Sequence, residues 1–157
     1  MTQLTDPISK QDDDRSGWSV ADAATLYGVD RWGQGYFSVN ERGHIVVHPT
    51  CEPHRGIDLK QLVDDLAQRD MHMPLLLRFN DILKHRLSLL HDVFQQAIRD
   101  HDYNGKYRCV YPVKVNQQRH VVEQVLEHGR SLGFGLEAGS KPELLAVMAM
   151  VEDESTP

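Results

Sequence analysis

Cysteine and long apolar runs are both scarce in this sequence. Only Cys51 and Cys109 occur among its 157 residues, too few for the dense cross-linking of small secreted domains, so we expect reduced thiols. The longest apolar run, residues 144–150, is far shorter than the roughly 20 residues that cross a bilayer. Residues 1–15 contain no apolar stretch of the kind found in secretory signals. We therefore expect a cytoplasmic location.

The sequence also has fewer positively than negatively charged side chains. The chain has 17 Lys and Arg against 23 Asp and Glu, a formal net charge of −6. A nucleic-acid-binding surface needs a concentrated positive field, and a peripheral membrane anchor needs a basic cluster. We expect neither nucleic acid nor membrane as a partner. The hydrophobic fraction of 40% is ordinary for a globular domain.

The sequence divides into three segments of different character. Residues 1–16 are polar and acidic and have too few apolar side chains to offset the entropy of ordering, which predicts a disordered lead. Residues 17–72 predict a short α+β lead, and residues 73–157 a set of strand-then-helix units. Within the α+β lead we predict a helix that starts at Ser19 and stops at Gly28, a β-hairpin of residues 35–39 and 44–48, and a helix capped by Asp58.

The third segment repeats its strand-then-helix pattern three times. Repeated βα units predict a parallel sheet with right-handed crossovers, and both an open doubly wound sheet and a (β/α)₈ barrel begin in this way. A complete barrel needs about 250 residues, so we expect an incomplete barrel with an open strand edge. The predicted strands are residues 73–79, 107–115 and 134–137, and the predicted helices are residues 80–100, 116–128 and 140–151.

A lysine stands near the end of the second predicted strand. Lys114 lies in the run Tyr-Pro-Val-Lys-Val-Asn of residues 111–116, and Glu137 ends the next strand. Active sites of barrels are built at the carboxyl ends of strands, and a lysine there suits Schiff-base chemistry. On the pattern alone, a lysine that extends to solvent at the sheet edge is the more common case. Glu143 and Ser140 fit a capping box at the start of the following helix.

Four stretches of the sequence resemble the bacterial biosynthetic arginine decarboxylases. They are residues 27–37, 74–83, 111–122 and 135–144, and the last two are long and specific. The resemblance runs from about Trp18 to the end of the chain. It implies an α/β fold, the N-terminal part of an alanine-racemase-like (β/α)₈ barrel that binds pyridoxal 5'-phosphate, preceded here by the short α+β lead with its hairpin.

The resemblance also implies an activity and roles for three residues. The family converts L-arginine to agmatine and carbon dioxide in polyamine biosynthesis, with the pyridine ring of the cofactor as the electron sink. Lys114 would hold pyridoxal 5'-phosphate as a Schiff base. By similarity to the related ornithine decarboxylases, Glu137 is expected beside the cofactor and Glu143 where the displaced lysine is received. Magnesium and a homo-oligomeric assembly are expected as well.

The sequence departs from the family pattern at its end. The phosphate-binding glycines, the carboxylate partner of the pyridine nitrogen, the substrate-binding acids and the catalytic cysteine are all expected beyond Pro157. We therefore expect the chain alone to have no useful decarboxylase activity. Two alternatives remain open: a non-catalytic module that docks on a partner subunit, and another fold-type III amino-acid decarboxylase or racemase.

Overall fold

The computed structural model describes residues 17–151, 154 and 156–157, so the predicted disordered lead lies outside the described residues. The described part contains a three-stranded antiparallel sheet and a parallel pair of strands, each with helices beside it. The strands are β1 (Phe37–Val39), β2 (Ile45–Val47), β3 (Ile57–Asp58), β4 (Val110–Pro112) and β5 (Gly135–Glu137). The helices are α1 (Val20–Leu26), α2 (Val29–Gly33), α3 (Leu59–Ala67), α4 (Asn80–Asp100), α5 (Arg119–Gly129) and α6 (Lys141–Met150).

Helix α1 begins and ends where its sequence signals predict. The Ser19 hydroxyl accepts from the backbone N–H of Asp22, and the Asp22 carboxylate accepts from the backbone N–H of Ser19, so the capping box is complete. Gly28 then adopts a left-handed φ of 60°, which favours glycine and ends the helix. Both predictions are confirmed.

The predicted hairpin is present and gains a third strand. Strands β1 and β2 pair antiparallel, with Phe37 opposite Val47, which is fully buried. Strand β3 adds two residues to the other side of β2. The Asp58 carboxylate then caps α3, because it accepts from the backbone N–H groups of Lys60 and Gln61. The predicted cap of this helix is confirmed.

The parallel pair forms the second sheet. Strand β4 pairs with β5 in the register Val110 to Gly135 and Pro112 to Glu137, and α5 makes the crossover between them. This βαβ unit is the arrangement that the repeated pattern predicts. Its core consists of Val113, Val122, Val125, Leu126 and Leu136, and Leu83 of α4 packs against it.

The prediction of a first barrel strand at residues 73–79 is wrong. No strand is assigned to these residues, and neither β4 nor β5 pairs with them. Leu76 is 74% exposed, whereas the apolar run predicted burial on both faces. A strand exists only with a hydrogen-bonded neighbour, and this run has none within the described part of the chain. The boundary that we predicted at residues 72 and 73 stays a prediction.

Other element boundaries need smaller corrections. The second predicted strand, residues 107–115, is reduced to β4, because the chain turns directly after Pro112 into the 3₁₀ turn Val113–Val115. Helix α4 has Phe79 rather than Asn80 at its N-cap position. Helix α5 begins at Arg119, not at residue 116. Among the described residues, no helix is both long enough and apolar enough to cross a bilayer.

Candidate active site

Lys114 lies two residues beyond the end of strand β4, in the turn that directly follows it. It is the middle residue of the 3₁₀ turn Val113–Val115, so it follows the strand instead of belonging to it. Val113 is only 2% exposed and packs into the core of the βαβ unit, whereas 62% of the Lys114 side chain is exposed. The base of the lysine is therefore anchored by its buried neighbour, and its amine is accessible to a ligand.

Glu137 stands opposite Lys114 at the same edge of the sheet. It is the last residue of β5, and its Oε1 atom lies 3.7 Å from the Lys114 Nζ atom. Parallel strands place their carboxyl ends at one edge, which is why two residues 23 positions apart meet here. Both side chains are partly solvated, so the pair adds little to stability. Its consequence is positional, because it holds the amine over the edge of the sheet.

Glu143 lies in the first turn of α6, and its carboxylate turns back toward the β5 edge. The Ser140 hydroxyl accepts from the Glu143 backbone N–H at 3.4 Å, which is half of the predicted capping box. The reciprocal bond differs: Glu143 Oε2 accepts from the backbone N–H of Gly139 at 2.7 Å, not from that of Ser140. The capping box is thus confirmed for its hydroxyl half and corrected for its carboxylate half.

Gly139 brings the two carboxylates to one loop. A Cβ atom at this position would lie 3.5 Å from Glu143 Oε2 and 3.7 Å from Glu137 Oε1. The structure therefore brings Lys114, Glu137 and Glu143 to one region at the carboxyl end of the parallel pair. One primary amine and two carboxylates in this arrangement can hold an aldehyde covalently and can accept or return protons beside it.

Further polar residues support the loop that carries Lys114. The Tyr111 hydroxyl donates to the Asn116 carbonyl at 3.3 Å, and Asn116 Oδ1 accepts from the backbone N–H of Gln118 at 3.1 Å. Arg78 donates through Nη2 to Gln118 Oε1. The sequence alone could indicate Asn116 as a capping residue. It could not indicate the contact between Arg78 and Gln118, because these residues are 40 positions apart and no local sequence pattern connects them.

None of the four cavities compared within the described residues is lined by Lys114. The largest of those compared is an apolar cavity of about 640 Å³ beside α1, α2 and the hairpin, with Trp18, Tyr27 and Trp32 in its wall. A second of about 430 Å³ lies at the end of α4, where Phe94 stacks on Tyr107. No group of three or more His, Cys, Asp or Glu side chains suited to a metal ion is found in the described part of the chain.

Comparison with known families places these residues in one domain type. Residues 90–156 match the family described as pyridoxal-dependent decarboxylase, pyridoxal binding domain. All three residues predicted for the site, Lys114, Glu137 and Glu143, lie inside this range. The match covers the βαβ unit and α6, together with the second half of α4.

Known relatives extend the match toward the start of the chain. The biosynthetic arginine decarboxylase of Rhodopirellula baltica is 55% identical over 135 residues, which are 86% of this chain and 20% of that protein. The enzyme of that name in Prochlorococcus marinus strain MIT 9313 is 51% identical over 148 residues, 94% of this chain and 22% of the relative. The crystal structure of the biosynthetic arginine decarboxylase from Campylobacter jejuni matches with a TM-score of 0.73 and 31% identity, over 82% of this chain and 21% of that one.

These matches define the class of domain first: residues 90–156 resemble the pyridoxal-binding domain of pyridoxal-dependent decarboxylases, and the fold matches the N-terminal part of such an enzyme, as the sequence predicts. Over most of its length the chain is similar to the biosynthetic arginine decarboxylases. It spans about a fifth of the length of the curated relatives that it matches.

Proposed function

We propose that Lys114 is the residue that holds pyridoxal 5'-phosphate, in a protein that converts L-arginine to agmatine and carbon dioxide. The observation that carries this proposal is the pairing of Lys114 with Glu137 at 3.7 Å, at the carboxyl edge of two parallel strands inside the matched pyridoxal-binding region. The names of the relatives support arginine as the substrate.

The residues present suit this cofactor. An aldehyde can condense only with an amine that it can reach, and the exposed amine of Lys114 stands on a turn whose base is fixed by buried Val113. When bound, the cofactor supplies an electron sink for the charge left on the α-carbon as the carboxylate departs. Lys114 would anchor it, and Glu137 would orient the amine and balance positive charge beside it.

Glu143 has a separate task in this proposal. Its Oε2 atom is engaged by the backbone N–H of Gly139, which fixes the direction of the carboxylate. The other oxygen, Oε1, does not take part in this bond. We assign to it the role of receiving the Lys114 ammonium group: it would accept a hydrogen bond from that group, and so hold a proton, whenever the amine is not bonded to the cofactor.

Further properties of the family form part of the same proposal. We propose that the reaction serves polyamine biosynthesis in the cytoplasm and that the enzyme is a homo-oligomer. Magnesium is supported by the resemblance alone, because no suitable group of ligands occurs among the described residues.

The proposal is tested with the protein as it occurs in its source. Incubation with pyridoxal 5'-phosphate and L-arginine should release agmatine and carbon dioxide in equal amounts, and Lys114→Ala should abolish both products. Lys106→Ala is the matched control, because it removes a lysine of the same domain outside the site and should leave the rate unchanged. Faster decarboxylation of ornithine or diaminopimelate than of arginine would contradict the substrate assignment.

A further inference from the structure

The loop that carries Lys114 is anchored at its two ends and exposed between them. We call residues 113–118 the lysine loop. Val113 fixes its beginning in the core, whereas Val115 is 70% exposed. Gln118 forms its end, at the N-cap position of α5. Between these ends, Asn116 makes the polar contacts with Tyr111 and Gln118 described above.

Arg78 holds the far end of the lysine loop from another part of the chain. It lies two residues before α4, and its Nη2 atom donates to Gln118 Oε1. Hydrogen bonds from a guanidinium to a neutral acceptor are charge-assisted and therefore stronger than those between neutral groups. Within the described residues, this bond is the polar side-chain link between the unpaired run of residues 73–79 and the lysine loop.

The neighbouring arginine does not share this function. Arg119 directly follows Gln118, but its Nε atom donates to Glu123 Oε1 at 2.6 Å, one turn further along the same helix. That pair is local to α5 and holds nothing outside it. The two arginines therefore differ in what they can do for Lys114, although both stand beside Gln118.

We propose that Arg78 is a positioning residue for Lys114: by holding Gln118, it keeps the lysine loop in the form that places the amine beside Glu137. The inference rests on the proposed cofactor role of Lys114. Gln118 is only four residues from Lys114, with no complete helical or strand segment between them, so release of Gln118 lets the loop shift. Displacement of a reacting group by about 1 Å can lower a rate by up to about 10²-fold.

The test measures where the cofactor attaches instead of measuring turnover. The amine of a lysine condenses with the aldehyde of pyridoxal 5'-phosphate, forming a carbon–nitrogen double bond and releasing one water. Borohydride then delivers hydride to that bond and makes the attachment permanent. After a brief incubation of the full chain, peptide mass spectrometry gives the label on Lys114 relative to that on Lys84 and Lys106, which serve as internal controls.

Five variants separate positioning from general damage. Arg78→Met and Gln118→Met should each lower the relative labelling of Lys114 by roughly three- to ten-fold. The double variant should lose no more than either single one, because both changes remove the same link. Arg78→Lys, which can still donate to Gln118, should recover most of the labelling. Arg119→Met is the matched control and should match the unmodified chain.

The outcomes distinguish this inference from the proposed function. If the unmodified chain labels Lys114 no faster than the other lysines, the cofactor role of Lys114 is wrong, and the positioning role of Arg78 is overturned with it. If the unmodified chain prefers Lys114 and Arg78→Met keeps that preference, only the positioning role is wrong. Independent losses that add in the double variant would also overturn it. If Arg78→Met lowers the melting temperature sharply, the labelling of Lys114 in Gln118→Met is compared with that in Arg119→Met instead. A lower labelling in Gln118→Met alone supports the positioning role, and equal labelling in the two variants overturns it.

Discussion

The residues around Lys114 make different contributions to the site. Buried Val113 fixes the turn, Glu137 attracts the amine, and Gly139 supplies a backbone N–H to the Glu143 carboxylate. The shared edge of Lys114 and Glu137 could be predicted from the sequence, because each follows or ends a strand-like run. The bond from Gly139 to Glu143 could not, since the capping-box pattern directs that carboxylate to Ser140, and only the chain geometry of the turn selects Gly139.

Replacing Glu143 separates its structural bond from its proposed role in proton handling. Glu143→Gln keeps an oxygen that can accept from the Gly139 N–H but cannot hold a proton or balance an ammonium group. We expect normal thermal stability and a loss of decarboxylation rate of about 10²-fold or more, the usual size of an acid–base contribution. Steady-state kinetics and a melting curve on the same preparation check this. A Glu143→Gln variant with full activity would remove the proposed role.

At the scale of elements, local signals predict well and pairing partners do not. The Ser19 capping box, the stop at Gly28 and the hairpin depend on residues within a few positions, and all are confirmed. Strand β3 and the fate of residues 73–79 depend on which distant backbone lies alongside, a property that no short run of sequence contains. The same holds for residues 107–115: their composition predicts a long strand, but only Val110–Pro112 is paired with β5, and Lys114 lies on the turn that follows.

The cap of α3 predicts a response to acid. A hydrogen bond from the His44 side chain, with support from Gln61 and Asn40, lowers the pKa of Asp58 to about 2 from its ordinary value of 3.8. Because the folded pKa is depressed, this contribution to stability is fully present above pH 3.8 and is lost as the pH falls toward 2.

Circular dichroism between pH 6 and pH 2 checks this response. We expect the unmodified chain to lose stability over the interval from about pH 4 to pH 2, and Asp58→Asn to be less stable at pH 6 and flatter over that interval. Asp65→Asn, which changes an exposed carboxylate on the same helix, should keep the acid response. An Asp58→Asn chain with an unchanged acid profile would rule out Asp58 as the source.

The start of α6 offers a second test at this scale. Ser140→Ala removes the hydroxyl that accepts from the Glu143 backbone N–H, and loss of such a cap costs about 1 kcal/mol. Ser140→Thr keeps a hydroxyl and should cost much less. Urea unfolding of the three chains measures the difference. Equal stability of the alanine and threonine variants would show that this cap contributes nothing.

At the scale of the whole molecule, one small core carries the site. Val122, Val125 and Leu126 of α5 pack under the parallel pair, and Leu83 of α4 joins them. Helix α6, by contrast, leaves Leu145 and Met148 60% and 66% exposed. Stability should therefore depend more on α5 than on the exposed face of α6.

Two leucines test this division. Leu126→Ala removes a buried side chain and should destabilise the chain by about 2–5 kcal/mol. Leu144→Ala, on the half-exposed helix α6, should change stability by about 0.5 kcal/mol or less. Denaturant titration of both variants gives the two values. If both variants lost a similar free energy of unfolding, the conclusion that α5 contributes more to the core than α6 would be wrong.

The measurement that tests the central claim most directly is the location of the reduced cofactor. Trypsin cleaves after Arg108, Lys114 and Arg119, but it does not cleave after a lysine that carries the cofactor. Incubation with pyridoxal 5'-phosphate, reduction with borohydride and digestion should therefore yield one labelled peptide of residues 109–119 with Lys114 uncleaved. A label confined to other lysines, with residues 109–119 cut at Lys114, would contradict the assignment of Lys114.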